Sequence, residues 1–318
     1  MKIATVGAVR RNSVRLMAVL TLLGPLRDVR AQGEGPRVYL PVPASTQRLV
    51  ATYLNITSNF NLQQVIYLPG ASVQSHVGVL AYARFFGIAG QLSQVYAQGI
   101  YGSIGGSTVR VVNGVRAAVS APRQSGFTNP LVGVVIGLAG TPALPRADFA
   151  KHRQTLQVSG LLEIAPKFGK YDEAFPLNPG TNRWTFRLGA PVVAPLGNPK
   201  RPVWLEVVPC MALFTTNDAP FGPAERRTQL PLWMMTTTAS YNVTKKAWVA
   251  LDLRGQAGGE TSSDDVGDNN SIGTLALAGT AAYAFIPKLT GQVSYGGIFA
   301  RHETEHGDFL RLRLAYVF

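Results

Sequence analysis

The last eleven residues of the chain, DFLRLRLAYVF (308–318), place an apolar side chain at every second position. Successive side chains of a β-strand point to opposite faces of the sheet. One face therefore collects Arg311 and Arg313, and the other collects Leu310, Leu312, Leu314, Tyr316 and Phe318. An arginine that faces lipid at the bilayer midplane costs about 2–4 kcal/mol. The stretch therefore predicts a membrane-spanning strand whose arginines point into the lumen of a barrel.

Three further stretches, 155–164, 182–190 and 246–255, repeat this order of side chains. A soluble barrel buries its apolar face, so the inverted order indicates that lipid covers the outer wall. Charged residues on the inner faces become candidates for lining a pore, where rings of charge set ion preference. Salt-bridged packing of the lumen is the alternative role for them. These candidates are Arg84, Glu163, Arg183, Arg187, Glu206, Lys246, Asp252, Arg254, Arg311 and Arg313.

Twelve segments with period-two tendencies are about 10–14 residues long, close to the 9–11 that a tilted transmembrane strand requires. Short connections, such as 242–245, alternate with long polar ones, such as 216–229 and 258–270, as in bacterial barrels. The fold class is therefore predicted to be all-β: an antiparallel up-and-down transmembrane barrel of about twelve strands with both termini periplasmic. The segments are 46–58, 74–87, 91–104, 129–140, 153–166, 182–194, 202–215, 230–242, 246–257, 271–285, 289–301 and 308–318.

The composition and the N-terminus agree with export to a membrane. Apolar residues make up 46% of the chain and charged residues 15%, whereas soluble domains carry about 25% charged residues. The arginine-rich start, the apolar stretch 16–26 and the small residues before position 32 predict a signal peptide over 1–31. Residues 32–45 are predicted to be a periplasmic lead-in or plug, and 46–318 the barrel. The terminal Phe318 indicates recognition by the barrel-insertion machinery.

The net charge of +13 does not indicate nucleic-acid binding. Residues 1–31 hold six Lys or Arg and one Asp, which leaves +8 for the rest of the chain. Its arginines are scattered along the predicted strands and not clustered on one face. A positive lumen or attraction to anionic lipid accounts for this charge better.

Motifs with catalytic chemistry lack the context that they need. The zincin pattern HETEH (302–306) requires a helix, yet it lies between two predicted strands. Cys210 is alone, and the acidic loop 264–269 lacks the EF-hand register. His76 and His152 are the remaining bases for a barrel hydrolase, and neither has an evident serine partner in the sequence. We therefore predict neither a cofactor nor a metal, and we predict that the protein is not an enzyme.

Several pieces resemble the family described as putative MetA-pathway of phenol degradation. They include SGFTNPLVGVVIGLAGTPAL (125–144), KFGKYDEAFPLNPGTNRWTFRLGAPVVAPLG (167–197) and WLEVVPCMALFTTND (204–218). The run NPGTNRW (178–184) is the most specific of them. The chain departs from the family at 128–130, where Thr-Asn-Pro replaces Gly-Asp-Pro. The resemblance implies an outer-membrane barrel that is linked by name to the uptake of small aromatic compounds.

These features leave three functions open. The first is a channel for passive passage of small solutes, with aromatic or hydrophobic compounds as candidates and a mild preference for anions. The second is a structural or adhesive barrel with a sealed lumen and binding activity in its long loops. The third is a barrel hydrolase. The expected partners are outer-membrane lipid, a small solute and the insertion machinery.

Overall fold

The computed structural model describes residues 35–61, 66–112, 115–302 and 304–318. The predicted signal peptide, 1–31, lies outside these residues. No helix in the described part of the chain is long and apolar enough to span a bilayer.

Within these residues, the regular structure consists of nineteen β-strand segments and one short helix, α1 (Arg146–Phe149). The strands are β1 (Gln47–Ser58), β2 (Phe60–Asn61), β3 (Ile66–Tyr67), β4 (Ser72–Ile88), β5 (Gln91–Val112), β6 (Val115–Phe127), β7 (Leu131–Ala139), β8 (Gln157–Ala165), β9 (Thr185–Gly189), β10 (Val192–Leu196), β11 (Val203–Phe214), β12 (Arg227–Gln229), β13 (Leu232–Asn242), β14 (Ala247–Gly258), β15 (Thr261–Ser263), β16 (Val266–Gly267), β17 (Ile272–Ile286), β18 (Leu289–Arg301) and β19 (Gly307–Val317).

Fourteen of these segments form a closed antiparallel barrel of twelve strands. Two of the twelve strands are interrupted: β6 and β7 both pair with β5, and β9 and β10 both lie between β8 and β11. Pro191 interrupts the second of these strands because proline cannot donate a ladder hydrogen bond. The barrel closes where β19 pairs with β1, from Arg48 opposite Val317 to Ser58 opposite Gly307. The predicted fold class is confirmed.

Connections are sorted by length between the two ends of the barrel. At the turn end, where β1 begins and β19 finishes, strands are joined by short connections such as 89–90, 243–246 and 287–288. The connection that carries α1 is the long exception at this end. The loop end carries the long connections, and β12, β15 and β16 form a small sheet within them. This sorting is the arrangement typical of bacterial outer-membrane barrels.

The predicted strands coincide with the observed ones except in one region. The strand that was predicted to end at residue 104 is β5, which continues to Val112 and turns back as β6. This hairpin extends toward the loop end, beyond the six residues of β5 that pair with β7. Its glycines and scattered polar residues leave no clear period, which is why the pattern did not predict it.

Side-chain exposure confirms the inverted order of the wall. In β19, Leu310, Leu312 and Leu314 are exposed on the outer face, whereas Arg311 is only 3% exposed. In β14, Leu251 and Leu253 are likewise exposed, while Asp252 is buried. A bilayer covers such an outer face, so its exposed leucines are in contact with lipid tails.

A charge on this outer face should destabilise the barrel. We expect Leu251→Arg to lower the free energy of unfolding in lipid vesicles by about 2–4 kcal/mol, because the guanidinium would lie in hydrocarbon. Denaturant titration followed by tryptophan fluorescence measures the change. Val243→Arg, in an exposed turn, is the matched control and should leave the stability unchanged. Equal effects of the two substitutions would contradict the assignment of the outer face.

Candidate functional site: the lumen

The N-terminal segment, residues 35–45, lies inside the barrel. Glu206, 3% exposed on the inner face of β11, accepts hydrogen bonds from the backbone N–H groups of Arg37 (2.8 Å) and Tyr39 (3.2 Å). Hydrogen bonds to a carboxylate contribute about 1.5–3 kcal/mol each when both partners are buried. A single carboxylate therefore holds two backbone N–H groups of the segment, two residues apart, against one wall.

The side chain of Arg37 adds further contacts to the same wall. Its Nε donates to Ser240 (2.9 Å) and its Nη1 to Asn242 (2.8 Å), and both acceptors belong to β13. The guanidinium lies 4.4 Å from the ring centroid of Trp248 on β14. A cation over an indole face is attracted by the ring quadrupole. These contacts give Arg37 a defined position in the lumen.

The segment also reaches the opposite wall. Ser45 donates a backbone hydrogen bond to Phe85 of β4 (3.1 Å), and Phe85 in turn donates to Thr46 (2.9 Å). Tyr39 packs with a buried cluster that includes Phe85 and Tyr96. In the strand order of the barrel, β4 and β13 lie on opposite sides. The N-terminal segment therefore crosses the lumen and does not follow one wall.

A buried ion pair lies on the wall between these sides. The Nε of Arg187 on β9 is 2.5 Å from a carboxylate oxygen of Glu163 on β8, and the hydroxyl of Tyr96 on β5 donates to the other oxygen. A buried carboxylate is tolerated when cationic and hydrogen-bonding partners surround it. These three groups link β5, β8 and β9 across β7 from the inside.

The remaining lumen charges are distributed over β14 and β19. Asp252 accepts a hydrogen bond of 2.5 Å from Thr238, and Arg254 donates to the sulfur of Met234 (3.2 Å). Arg311 donates to Ser294 (3.1 Å from Nη2). Arg313 donates to Thr52 on β1 (3.3 Å).

Seven of the ten candidate pore-lining residues therefore project from barrel strands into the lumen. They are Glu163, Arg187, Glu206, Asp252, Arg254, Arg311 and Arg313. That they line a passage for solute remains a prediction.

Two candidates were placed wrongly by the sequence. Arg84 is exposed on the outer face of β4, opposite Gln47 near the turn end. Both faces of β4 are largely apolar, so the alternation did not show which face points into the lumen. Near the membrane interface, an arginine on the outer face can extend its guanidinium toward water. Lys246 lies exposed in the turn between β13 and β14, where it reaches bulk water and not the lumen.

Arg183 occupies a third kind of position, in the loop just before β9. It is 2% exposed, donates to Gln229, and lies 4.4 Å from the ring centroid of Phe214. Burial, with a smaller contribution from the charge of Arg227, lowers the pKa of Arg183 to about 9. It helps to pack the loops over the barrel end.

An apolar cluster lies at the loop end of the lumen. Inward residues of the barrel strands meet there with two aromatic residues from the loop between β1 and β4. Phe309 is 2% exposed and Tyr67 is 1% exposed. The cluster consists of Ile56, Phe60, Tyr67, Ala212, Leu232, Ile272, Ala276, Ala278, Ile298 and Phe309. A narrow hydrophobic layer of this kind opposes the passage of hydrated ions.

The lumen cavity extends from the turn end toward this cluster and has a volume of about 490 Å³. Ligand sites commonly measure about 300–1,000 Å³. Residues of nine strand segments line the cavity, among them arginines, glutamines and apolar side chains, and the N-terminal segment contributes Pro36, Arg37 and Val38. A larger groove of about 960 Å³ lies along the outward apolar residues of β11, β13 and β14. Lipid would cover that groove, so the lumen cavity is the better candidate site.

Several lumen residues were not predicted from the sequence. Arg48 lines the cavity from β1, where alternation is weak, although its shared parity with Thr52 was a usable signal. Tyr96 and Trp248 also line the cavity, and for Trp248 the parity that it shares with Asp252 and Arg254 was a usable signal. The position of Arg37 depends on contacts with residues about 170 to 200 positions away and has no local signature.

The specific run NPGTNRW closes a loop and does not contribute to the lumen cavity. Asn129, in the interruption between β6 and β7, donates to Thr181 (2.7 Å) and to the backbone oxygen of Arg183 (3.0 Å). Asn178 donates to the backbone oxygens of Asp172 and Phe175. These amide contacts fold the 166–184 loop against the interrupted strand.

The residues considered for catalysis lie in separate parts of the barrel. His76 lies on the outer face, where Ser103 and Asn55 are its cross-strand neighbours. However, its Nδ1 is 2.9 Å from the hydroxyl of Tyr53, and Ser103 accepts from Arg123 (2.9 Å). His302 and His306 lie in the connection between β18 and β19, which is not helical in its described residues.

Comparisons with known proteins agree with this architecture. The family model described as "Putative MetA-pathway of phenol degradation" matches residues 46–314. The crystal structure of the COG4313 outer membrane channel from Pseudomonas putida F1 is similar, with a TM-score of 0.69 and 20% identity over 90% of this chain and 100% of that chain.

The translocator domain of the autotransporter NalP from Neisseria meningitidis is also similar in fold. Its TM-score is 0.52, with 11% identity over 98% of this chain and 96% of that chain. The comparison with curated protein sequences found no match. Because the family model covers most of the chain, the protein belongs to the MetA-pathway of phenol degradation family.

Proposed function

We propose that the protein is an outer-membrane channel for small aromatic compounds. Membership of the phenol degradation family supports the aromatic substrate class. The likeness to an outer-membrane channel supports the barrel architecture. The observation that carries the proposal is the lumen cavity, because it lies inside a lipid-facing wall and is lined by both charged and apolar side chains.

The route by which the chain reaches the outer membrane follows from its predicted terminal signals. A signal peptide over 1–31 directs export and is cleaved, and the insertion machinery recognises the strand that ends at Phe318. The N-terminal segment then acts as a plug on the turn side. The apolar cluster forms a second restriction on the loop side, which a small aromatic solute crosses more easily than a hydrated ion.

A sealed structural barrel is the second candidate, and the same two restrictions favour it. The N-terminal segment crosses the lumen, and the apolar cluster is buried at the loop end. A sealed barrel would conduct neither ions nor aromatic solutes, and its activity would lie in the long loops.

Planar-bilayer recording of the refolded full chain separates the two candidates. A channel should give discrete openings that phenol or benzoate reduces, with a reversal potential on the anion-selective side in a KCl gradient. The double variant Arg311→Ser with Arg313→Ser should shift the reversal potential toward cations, because two fixed positive charges are lost. Arg84→Ser with Arg201→Ser removes two exposed arginines and should leave it unchanged. Absence of any conductance would support the sealed barrel.

A further inference from the structure

We propose that the lumen cavity is a binding site for small aromatic carboxylates, with the carboxylate against Arg311 and Arg313. This inference rests on the proposed channel function and narrows its substrate class. The two arginines lie two residues apart on one inward face of β19. Guanidinium groups bind carboxylates through paired, charge-assisted hydrogen bonds.

Charge is distributed unequally around the cavity. On the inner faces of β18, β19, β1 and β4, and of β5 as far as Ile104, the charged side chains are Arg48, Arg311 and Arg313. The charges of Arg48 and Arg311 both act on Arg313, so the three form one electrostatic group. This side of the lumen presents positive charge to a solute.

Carboxylates on the other side do not balance this charge. The described lumen residues include three acids, Glu163, Glu206 and Asp252, of which Asp252 interacts with Arg311 and Arg313. Six arginines line the cavity: Arg37, Arg48, Arg187, Arg254, Arg311 and Arg313. The formal charge of this set is therefore +3, whichever arginine each acid pairs with.

One cavity-lining arginine also has an unused donor. Arg254 is 7% exposed, and its Nε has no hydrogen-bond partner among the described residues. A buried donor without a partner costs about 1–3 kcal/mol. An anion in the cavity would reduce the mutual repulsion of the arginines, and one that reached Arg254 would also satisfy this donor.

The apolar part of the wall accommodates a ring. On β4 the inward side chains at this height are Val79, Ala81 and Ala83, and their small size leaves the space that the cavity occupies. Ile100 and Leu131 continue this surface. An aromatic acid places its ring here and its carboxylate toward β19, whereas an inorganic anion leaves the apolar surface in contact with water.

Calorimetric titration of the detergent-solubilised full chain tests this inference. Benzoate should bind at least tenfold more tightly than benzyl alcohol, a difference of about 1.4 kcal/mol. Arg311→Gln with Arg313→Gln should reduce benzoate affinity at least tenfold and leave benzyl alcohol affinity unchanged. Arg313→Lys keeps the positive charge but lacks the paired donors of the guanidinium, so its benzoate affinity should lie between those of the parent chain and the double variant. Arg201→Gln, in an exposed turn, is the matched control. The heat-dependent gel mobility of folded barrels verifies folding of each variant.

The outcomes test the carboxylate-binding site separately from the channel. Equal affinity for benzoate and benzyl alcohol would overturn it, as would unchanged benzoate binding in the folded double variant. Displacement of benzoate by an equimolar amount of chloride would overturn it as well, because the site would then select charge alone. Specific benzoate binding without conductance in bilayers would retain the binding site and reject the channel.

Discussion

Deletion of residues 36–44 is expected to raise the single-channel conductance about tenfold or more, which corresponds to about 1.4 kcal/mol less barrier to ion passage. The deleted residues cross the lumen from the buried cluster that contains Phe85 on β4 to Glu206 on β11. Their removal replaces a packed backbone with water, and it leaves Glu206 and the lumen arginines hydrated. Planar-bilayer recording of the refolded variant measures the change.

Point variants separate loss of the plug from general damage. Arg37→Ala removes the contacts to Ser240, Asn242 and Trp248 and should produce brief openings of the larger conductance. Arg201→Ala removes an exposed arginine from a turn and should behave as the parent chain. A folded deletion variant with the parent conductance would show that the N-terminal segment does not restrict the lumen.

Phe309→Ala should produce the second large increase in single-channel conductance, and only in a chain that lacks residues 36–44. Two restrictions along one lumen act as resistances in series, so widening the apolar cluster has little effect while the N-terminal segment dominates. In the 36–44 deletion background, loss of the Phe309 ring allows water to enter the apolar cluster. We therefore expect the conductance to rise again by about tenfold, which corresponds to a barrier to ion passage lower by about 1.4 kcal/mol.

The matched control for this prediction is Phe299→Ala. Phe309 is 2% exposed in the apolar cluster, whereas Phe299 is 56% exposed on the outer face of β18. The two substitutions remove the same ring from opposite sides of the wall. Equal conductance of the two variants in the deletion background would contradict the assignment of the apolar cluster as a restriction.

The sequence predicted the wall of the barrel well because the membrane imposes a strong local rule. An arginine facing lipid is costly, so Arg311 and Arg313 gave the orientation of the last strand. The rule failed for β4, where apolar residues occupy both faces and Arg84 lies near the interface. It also failed for Lys246, which a turn accommodates in water.

The contents of the lumen could not be predicted in the same way. The contacts of Arg37 with Glu206 and Ser240 join residues about 170 to 200 positions apart, and no periodicity records them. Tyr96 and Trp248 illustrate a second difficulty. An aromatic residue is favourable both at the lipid interface and in a packed lumen, so its residue type does not reveal which side it faces.

The lumen cavity lies on the proposed path of the solute, and filling the cavity with a larger side chain tests that path. Ala81 lines the cavity on β4, and Ala51 is exposed to the outside on the neighbouring strand β1. In the 36–44 deletion background, we expect Ala81→Trp to abolish most of the single-channel conductance and its block by benzoate, while Ala51→Trp retains both. Equal conductance and equal block in the two folded variants would contradict passage through this lumen.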